Sequence, residues 1–151
     1  ALNNGKDFKL HLSEPRPTKQ LEAVISMCKK PDNVVLHTQH GEKFLEDWQD
    51  FDLVFVDADH SMVGAGSDLL RILASDIPNV MAHDTNLSNM ISGYDGRGAE
   101  LLGRVLKIHP EYKVIEDKKA RKDEFTERGF LFASKDDETY NIAKGVFEEL
   151  C

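Results

Sequence analysis

An α/β domain with a mostly parallel sheet and helices on both faces is the fold class that the sequence predicts. Strand-like and helix-like segments alternate along its 151 residues, one strand-like run is almost wholly apolar, and polar residues follow several strands directly. Such alternation favours crossovers between parallel strands. With 40% hydrophobic and 30% charged residues, the composition is that of an ordinary globular chain. We therefore predict one domain over residues 1–151.

The first third of the chain contains two predicted strands, each followed by a helix. Phe8–Leu12 is a short strand that ends before a proline-rich turn, and Leu21, Val24, Ile25 and Cys28 then recur at helical spacing. Asn33–Thr38 is the second strand, and Glu42–Gln49 predicts a short helix with its apolar residues on one side.

The rest of the chain continues the alternation. Phe51–Val56 is nearly all apolar, which is typical of a strand buried on both faces and therefore central in a sheet. A helix with Leu69, Leu70, Ile72 and Leu73 precedes a strand at Asn79–Ala82. The remaining predicted elements are a helix containing Leu101, Leu102, Val105 and Leu106, strands at Tyr112–Ile115 and Gly129–Ala133, and a closing helix.

Charge and composition exclude several classes of partner. The formal net charge of −8 disfavours nucleic acid, and no apolar run approaches the roughly 20 residues that a membrane helix needs. Cys28 and Cys151 form neither a disulfide framework nor a metal-ligand pattern. The first residues lack the apolar core of a signal peptide, so we expect a cytoplasmic protein.

Polar side chains follow the predicted strands at the edge where ligands bind in open α/β sheets. Glu14 follows the first strand, Asp57, Asp59 and His60 follow the apolar run, and His83-Asp84-Thr85 follow the next strand. Two acids that meet at neighbouring strand ends repel each other unless a cation or hydrogen-bond donors offset the repulsion. Oxygen ligands of this kind suit Mg²⁺.

The segment from Phe51 to Ser61, followed by His83-Asp84-Thr85, resembles class I S-adenosylmethionine-dependent methyltransferases, especially the small-molecule O-methyltransferase branch. Gly129–Phe132 resembles the last strand of that family. The similarity extends from Phe8 to about Ser134, in the order of the family's second to seventh strands. It implies a Rossmann-like three-layer sandwich and S-adenosylmethionine as the cofactor.

On the acceptor side, the resemblance implies a role for four residues. Asp57 and Asp84 match two metal-binding acids, and Thr85 stands where the family usually has an asparagine ligand. His60 matches the lysine that takes the proton from the substrate hydroxyl, and histidine can do so near neutral pH. We expect His83 to support these residues or to be structural.

On the donor side, the resemblance implies that Glu14 hydrogen-bonds the ribose hydroxyls of the methyl donor. Gln39 and His40 lie where the family contacts adenine, and Asp57 also borders the cofactor. Nothing before Phe8 has the glycine-rich turn with which such enzymes begin. We therefore expect an N-terminally incomplete domain whose first strand is lacking, and a partner segment or a second copy that completes the sheet.

These inferences predict O-methylation of a small-molecule hydroxyl. Two other functions remain open: a nucleotide-sugar glycosyltransferase that holds its metal through Asp57-Ala58-Asp59, and a degenerate, non-catalytic binding or assembly module. For Asp57 and Asp84 the structural alternative is a capping role at the following helices, where aspartate is common. The glycine-bearing stretch from Gly93 to Gly98, which contains Arg97, predicts an ordinary flexible loop, with a substrate lid or a phosphate cradle as the alternative.

Overall fold

In the computed structural model, residues 8–48, 50–57, 59–85, 97–117 and 129–150 are described. Backbone contacts divide the chain into two compact units, Ala1–Asp47 and Trp48–Cys151. The mixed α/β architecture confirms the predicted fold class. The assignment of one domain to residues 1–151 stays a prediction.

The first unit is a parallel strand pair with two helices. It contains β1 (Leu10–Ser13), α1 (Lys19–Ser26), a 3₁₀ turn (Pro31–Asn33), β2 (Val34–His37) and α2 (Gly41–Asp47). The strands run parallel, with Leu10 opposite Val34 and Ser13 opposite His37. The Thr18 hydroxyl accepts a hydrogen bond from the Leu21 N–H at 3.2 Å, so α1 begins where a side-chain cap is available.

The second unit is a four-stranded sheet with three helices. It contains β3 (Val54–Val56), α3 (Gly64–Ala74), β4 (Asn79–His83), α4 (Arg97–Ile108), β5 (Lys113–Asp117), β6 (Phe130–Ser134) and α5 (Asp137–Leu150). The strand order is β3-β4-β6-β5. β3 and β4 are parallel, whereas β6 is antiparallel to both β4 and β5. β6 is thus the one described strand of this sheet that runs against the other three.

Helices cover both faces of the four-stranded sheet, as predicted. Successive residues of a strand point to opposite faces, and in β6 Phe130 packs on Phe147 of α5 with ring centroids 5.7 Å apart. Its neighbour Leu131 points the other way, toward Gly103 of α4. The largest fully buried apolar side chains of this core are Ile72, Ile77, Val80, Leu102, Leu106 and Leu131.

Two sequence-based expectations differ from the structure. The described strands form two sheets, and β3 lies at an edge of the four-stranded sheet rather than at a centre. Phe55 in the middle of β3 is 54% exposed, so the apolar run of Phe51–Val56 does not mark burial on both faces within this sheet. A continuous apolar run predicts a strand, but it does not show whether that strand lies at the centre or at the edge of its sheet.

None of the helices in the described ranges has the length and the apolar content needed to cross a membrane.

A histidine pair lies on the parallel strands of the first unit. The His11 Nδ1 and His37 Nε2 atoms are 3.0 Å apart, and the two rings stack at a centroid distance of 5.1 Å. The ring of Phe44 in α2 lies 4.8 Å from that of His37. Burial and the charge of His37, with a contribution from Lys9, lower the pKa of His11 below its ordinary value of 6.5.

We expect this pair to make the protein less stable in mild acid. A lowered pKa in the folded state means that the unfolded chain binds the proton more tightly, so stability present above pH 6.5 is lost as pH falls through the folded pKa. Urea unfolding at pH 7.5, 6.5 and 5.5 measures this loss. The pH dependence should be shallower in His11→Gln than in the unchanged protein, and identical profiles for the two proteins would contradict the assignment.

Candidate functional site

The candidate site lies at the carboxyl ends of β3 and β4, which pair in parallel with Val54 opposite Val80 and Val56 opposite Ala82. Asp57 follows β3 directly and Asp84 follows β4 directly. Because the strands are neighbours in register, their ends place both carboxylates at the same edge of the sheet. The structure thus brings Asp57 and Asp84 together, as the sequence predicted.

His60 joins the two carboxylates in one cluster. Its Nε2 atom lies 3.2 Å from Asp84 Oδ2 and 3.7 Å from Asp57 Oδ1. One ligand atom from each of the three residues lies within 4.8 Å of the other two. The side chains differ in exposure: 6% for Asp84, 14% for His60 and 45% for Asp57. The cluster is therefore buried on the Asp84 side and open on the Asp57 side.

His83 is a fourth member that sequence reasoning expected only as support. Its Nδ1 atom lies 3.2 Å from Asp84 Oδ1 and 3.4 Å from Asp57 Oδ1. As the last residue of β4, it precedes Asp84 and points at the same carboxylates. A histidine adjacent to a strand-end acid was the available signal, but sequence alone did not show that it reaches Asp57 on the neighbouring strand.

Asp84 has an unusual backbone conformation, with φ at 57°. This left-handed region is costly for most residues and less so for aspartate. The residue is only 4% exposed, and its buried Oδ1 atom has no hydrogen-bond partner among the described residues. Burial of a carboxylate oxygen without a hydrogen bond is unfavourable unless a positive charge compensates it. Asp84 Oδ1 faces His83 Nδ1 at 3.2 Å and belongs to the same cluster as the Asp57 carboxylate, an arrangement that a divalent cation fits.

The loop between β3 and α3 is held by its own polar side chains. Asp59 Oδ1 accepts a hydrogen bond from the Ser61 N–H at 2.9 Å, and Ser61 Oγ accepts one from the Gly64 N–H at 3.0 Å. The Ser61 carbonyl accepts from the Ala65 N–H at 3.1 Å. Asp59 is thus engaged in the turn that precedes α3, while the cluster pairs Asp57 with Asp84.

The beginning of α4 docks on the backbone of His60. The N–H groups of Gly98 and Ala99 donate to the His60 carbonyl at 3.0 and 3.4 Å, which satisfies two donors of the first turn. A Cβ on Gly98 would stand 1.9 Å from the Ser61 carbonyl oxygen. Only glycine permits this approach. Gly98 belongs to the predicted glycine-bearing loop, of which residues 93–96 lie outside the described residues.

Thr85 follows Asp84 and is 4% exposed. A Cβ on Gly103 of α4 would lie 3.1 Å from the Thr85 Cβ, so glycine makes room for the threonine. The Thr85 hydroxyl is buried and has no hydrogen-bond partner among the described residues. A ligand role for Thr85 stays a prediction.

The three residues expected to contact the methyl donor lie in the first unit, just beyond its strands. Glu14 follows β1, and its Oε1 atom accepts from the Arg16 N–H at 2.9 Å. Gln39 and His40 follow β2; Gln39 donates to Asp47 Oδ2 at 3.0 Å, and the His40 carbonyl accepts from Phe44 N–H at 2.9 Å. All three share the carboxyl end of the parallel pair, which is where the sequence predicted them. Their binding role stays a prediction.

Comparison with known proteins shows the fold. No family model matches the chain, and no curated protein matches it. Among solved structures, a candidate O-methyltransferase from Klebsiella pneumoniae is similar over 83% of this chain, with a TM-score of 0.66 and 17% identity.

Two further similar structures were solved with ligands. The O-methyltransferase from Bacillus cereus in complex with SAH has a TM-score of 0.64 and 13% identity. The O-methyltransferase from Streptomyces achromogenes involved in tomaymycin synthesis, in complex with SAM, has a TM-score of 0.61 and 17% identity. Each covers 83% of this chain. The chain spans 61–62% of the length of the three structures. The fold is therefore similar to that of these O-methyltransferase structures.

We expect Gly98→Ala to lower the free energy of unfolding by ~1–3 kcal/mol, the typical cost of overpacking, because the new methyl group meets the Ser61 carbonyl. Gly66→Ala is the matched control, since a Cβ on this α3 glycine meets nothing within 4 Å. That control should gain ~0.4–1 kcal/mol from reduced freedom of the unfolded chain. Urea unfolding measures both, and equal effects of the two substitutions would contradict the close approach of α4 to the His60 loop.

Proposed function

We propose that this chain forms part of an S-adenosylmethionine-dependent methyltransferase that acts on a hydroxyl group of a small molecule. The observation that carries the proposal is the convergence of Asp57, His60 and Asp84 at neighbouring strand ends of an O-methyltransferase fold. Fold likeness alone does not assign a reaction, so the chemistry of this cluster bears the argument. The SAM and SAH held by two similar structures support the choice of donor.

The proposal assigns donor binding to residues beyond β1 and β2. The Glu14 carboxylate accepts the ribose hydroxyls, for which a carboxylate has acceptor capacity beyond its contact with Arg16. Gln39 and His40 contact the adenine. Support comes from their shared position at carboxyl ends of parallel strands, where ligands of open α/β sheets bind.

The proposal gives proton removal to His60. Histidine is the side chain that most often removes a proton in general base catalysis, and the Nε2 atom of His60 lies within the carboxylate cluster, 3.2 Å from Asp84 Oδ2. The resulting alkoxide or phenolate attacks the methyl carbon of the sulfonium in line, and the sulfur leaves with the bond's electron pair. Positioning of the two reactants provides most of the acceleration.

Asp57 and Asp84 would hold a divalent cation such as Mg²⁺, with Thr85 as a further oxygen ligand. A cation there would lower the pKa of the acceptor hydroxyl and offset the charge of its oxygen. The buried Oδ1 of Asp84, which has no hydrogen bond among the described residues, supports this assignment.

The alternative functions have less support. In a glycosyltransferase of the kind considered, Asp57 and Asp59 hold the metal together, whereas the ligand atoms that lie within 4.8 Å of one another are those of Asp57, His60 and Asp84. A non-catalytic module does not require the buried, left-handed Asp84 beside two histidines. Such conformations persist where the surrounding structure maintains them, and they cluster at functional sites.

Calorimetry with S-adenosylmethionine and a panel of nucleotide sugars tests the proposal. We expect the protein to bind S-adenosylmethionine with a dissociation constant on the order of 1 µM to 1 mM, the usual range of Michaelis constants. Glu14→Gln should weaken that binding roughly 10-fold or more, since a hydrogen bond to a charged group is worth about 1.5–3 kcal/mol.

Glu22→Gln, which changes an exposed acid in the first turn of α1, is the matched control and should leave the dissociation constant unchanged. Preferential uptake of a nucleotide sugar would replace the methyltransferase assignment with the glycosyltransferase one. Failure to bind either class of donor would favour the non-catalytic module.

A further inference from the structure

We infer that the cluster of Asp57, His60 and Asp84 selects a first-row transition cation such as Co²⁺, Mn²⁺ or Zn²⁺ over Mg²⁺, with His60 Nε2 as the third ligand. The inference deepens the proposed function and rests on it in placing a cation between Asp57 and Asp84. It changes the class of cation and the role of His60.

The two histidine–carboxylate distances of the cluster are close to those between ligands of one ion. Two ligand atoms that each lie about 2.1 Å from a metal are roughly 3.0 Å apart at right angles and roughly 3.4 Å apart in a tetrahedron. His60 Nε2 lies 3.2 Å from Asp84 Oδ2 and 3.7 Å from Asp57 Oδ1. All three ligand atoms lie within 4.8 Å of one another, whereas ligands of one ion are at most about 4.2 Å apart. A cation that binds both carboxylates and the imidazole nitrogen therefore requires side-chain rotations that close the cluster.

A second, independent observation points to a cation here. The Asp84 side chain is 6% exposed, and its Oδ1 accepts no hydrogen bond from the described residues. Removing one carboxylate from water costs several kcal/mol by general estimates unless a charge is placed beside it. The negative oxygens of Asp57 in the same cluster increase that cost. His83 Nδ1 lies 3.2 Å from Asp84 Oδ1 but carries a charge only when protonated, whereas a divalent ion compensates both carboxylates.

The donor set decides which ion is preferred. Mg²⁺ prefers oxygen ligands and retains several waters, whereas imidazole nitrogen suits Mn²⁺, Co²⁺ and Zn²⁺ increasingly well. One nitrogen and two carboxylate oxygens form a mixed site of the second kind. His83 completes it from outside, because its Nδ1 lies 3.2 and 3.4 Å from the two carboxylates and can hold them in place.

The ligand role and the base role of His60 exclude each other at one time. Nε2 has a single lone pair, and the same atom faces both carboxylates. His60 is accordingly the proposed proton acceptor only in the cation-free protein and a ligand in the cation-loaded protein, where the cation itself would lower the pKa of the acceptor hydroxyl. The two states can be separated by cation binding alone, without an acceptor substrate.

The test titrates the protein with Co²⁺, followed by its visible absorption, and with Mg²⁺, followed by calorimetry. The quantity of interest is the ratio of the two affinities, because transition ions bind most sites more tightly than Mg²⁺. We expect His60→Ala to lower the Co²⁺ preference by roughly 10- to 100-fold, at least the loss seen when a supporting residue of a metal site is removed. His109→Ala, a histidine outside the cluster, should keep the ratio.

A second variant protects the test against misfolding. His60→Asp makes the site all-oxygen and should raise Mg²⁺ affinity while it lowers the ratio of Co²⁺ to Mg²⁺ affinity, and an unfolded protein cannot show a gain in Mg²⁺ affinity. The inference is overturned if the unchanged protein binds Co²⁺ and Mg²⁺ equally, or if His60→Ala keeps the preference.

Binding of S-adenosylmethionine, measured on the same samples, separates this inference from the proposed function. If His60→Ala still binds S-adenosylmethionine and keeps the ratio of Co²⁺ to Mg²⁺ affinity, only the ligand role of His60 is refuted. A ratio that falls as expected, in a protein that does not bind the donor, supports the cation inference and refutes the methyltransferase proposal.

Discussion

The parallel pairing of β3 with β4 is the constraint on which the candidate site depends. Its register, with Val56 opposite Ala82, sets the ends of both strands at one edge, so that Asp57 and Asp84 leave the sheet as neighbours. A shift of one residue would turn every side chain of β3 to the other face and separate the acids. The apolar residues of β4 that lie buried against the helices resist such a shift, and core packing therefore holds the geometry of the polar cluster.

The second requirement is that His60 returns to the strand ends from a loop. Side-chain hydrogen bonds of Asp59 and Ser61 shape the turn, and the first N–H groups of α4 fix the His60 carbonyl. The first N–H groups of a helix have no partner within the helix, and in α4 two of them bond to the His60 carbonyl. This one contact therefore stabilises both the start of α4 and the loop that carries His60. Gly98 is the sequence condition for this contact, since any side chain there would push α4 away from Ser61.

Much of this arrangement could be predicted from the chain, and what could not has a common physical cause. The order of elements and the meeting of Asp57 with Asp84 follow from local periodicity and from where parallel strands end. The edge position of β3, the left-handed Asp84 and the reach of His83 to Asp57 depend on neighbours distant in sequence. The hydrophobic pattern does not show which distant residues become neighbours in the fold. Nothing in the sequence around Asp84 indicates that its φ is positive. The contact between α4 and the His60 backbone could not be predicted for the same reason, although the sequence shows the glycine at position 98 that permits it.

The cluster also shows how fold and chemistry separate. The fold determines that two acids meet, and it does so in a chain whose identity with the similar O-methyltransferase structures is only 13–17%. What the acids can do depends on the groups beside them, and here two imidazoles flank the carboxylates. Neutral imidazoles offer the carboxylates one N–H donor each, whereas a cation compensates both charges at once. His60 Nε2 lies 3.2 Å from the Asp84 carboxylate and 3.7 Å from that of Asp57. His60 therefore adds a nitrogen to a site of carboxylate oxygens, and this nitrogen determines which ion would suit the site.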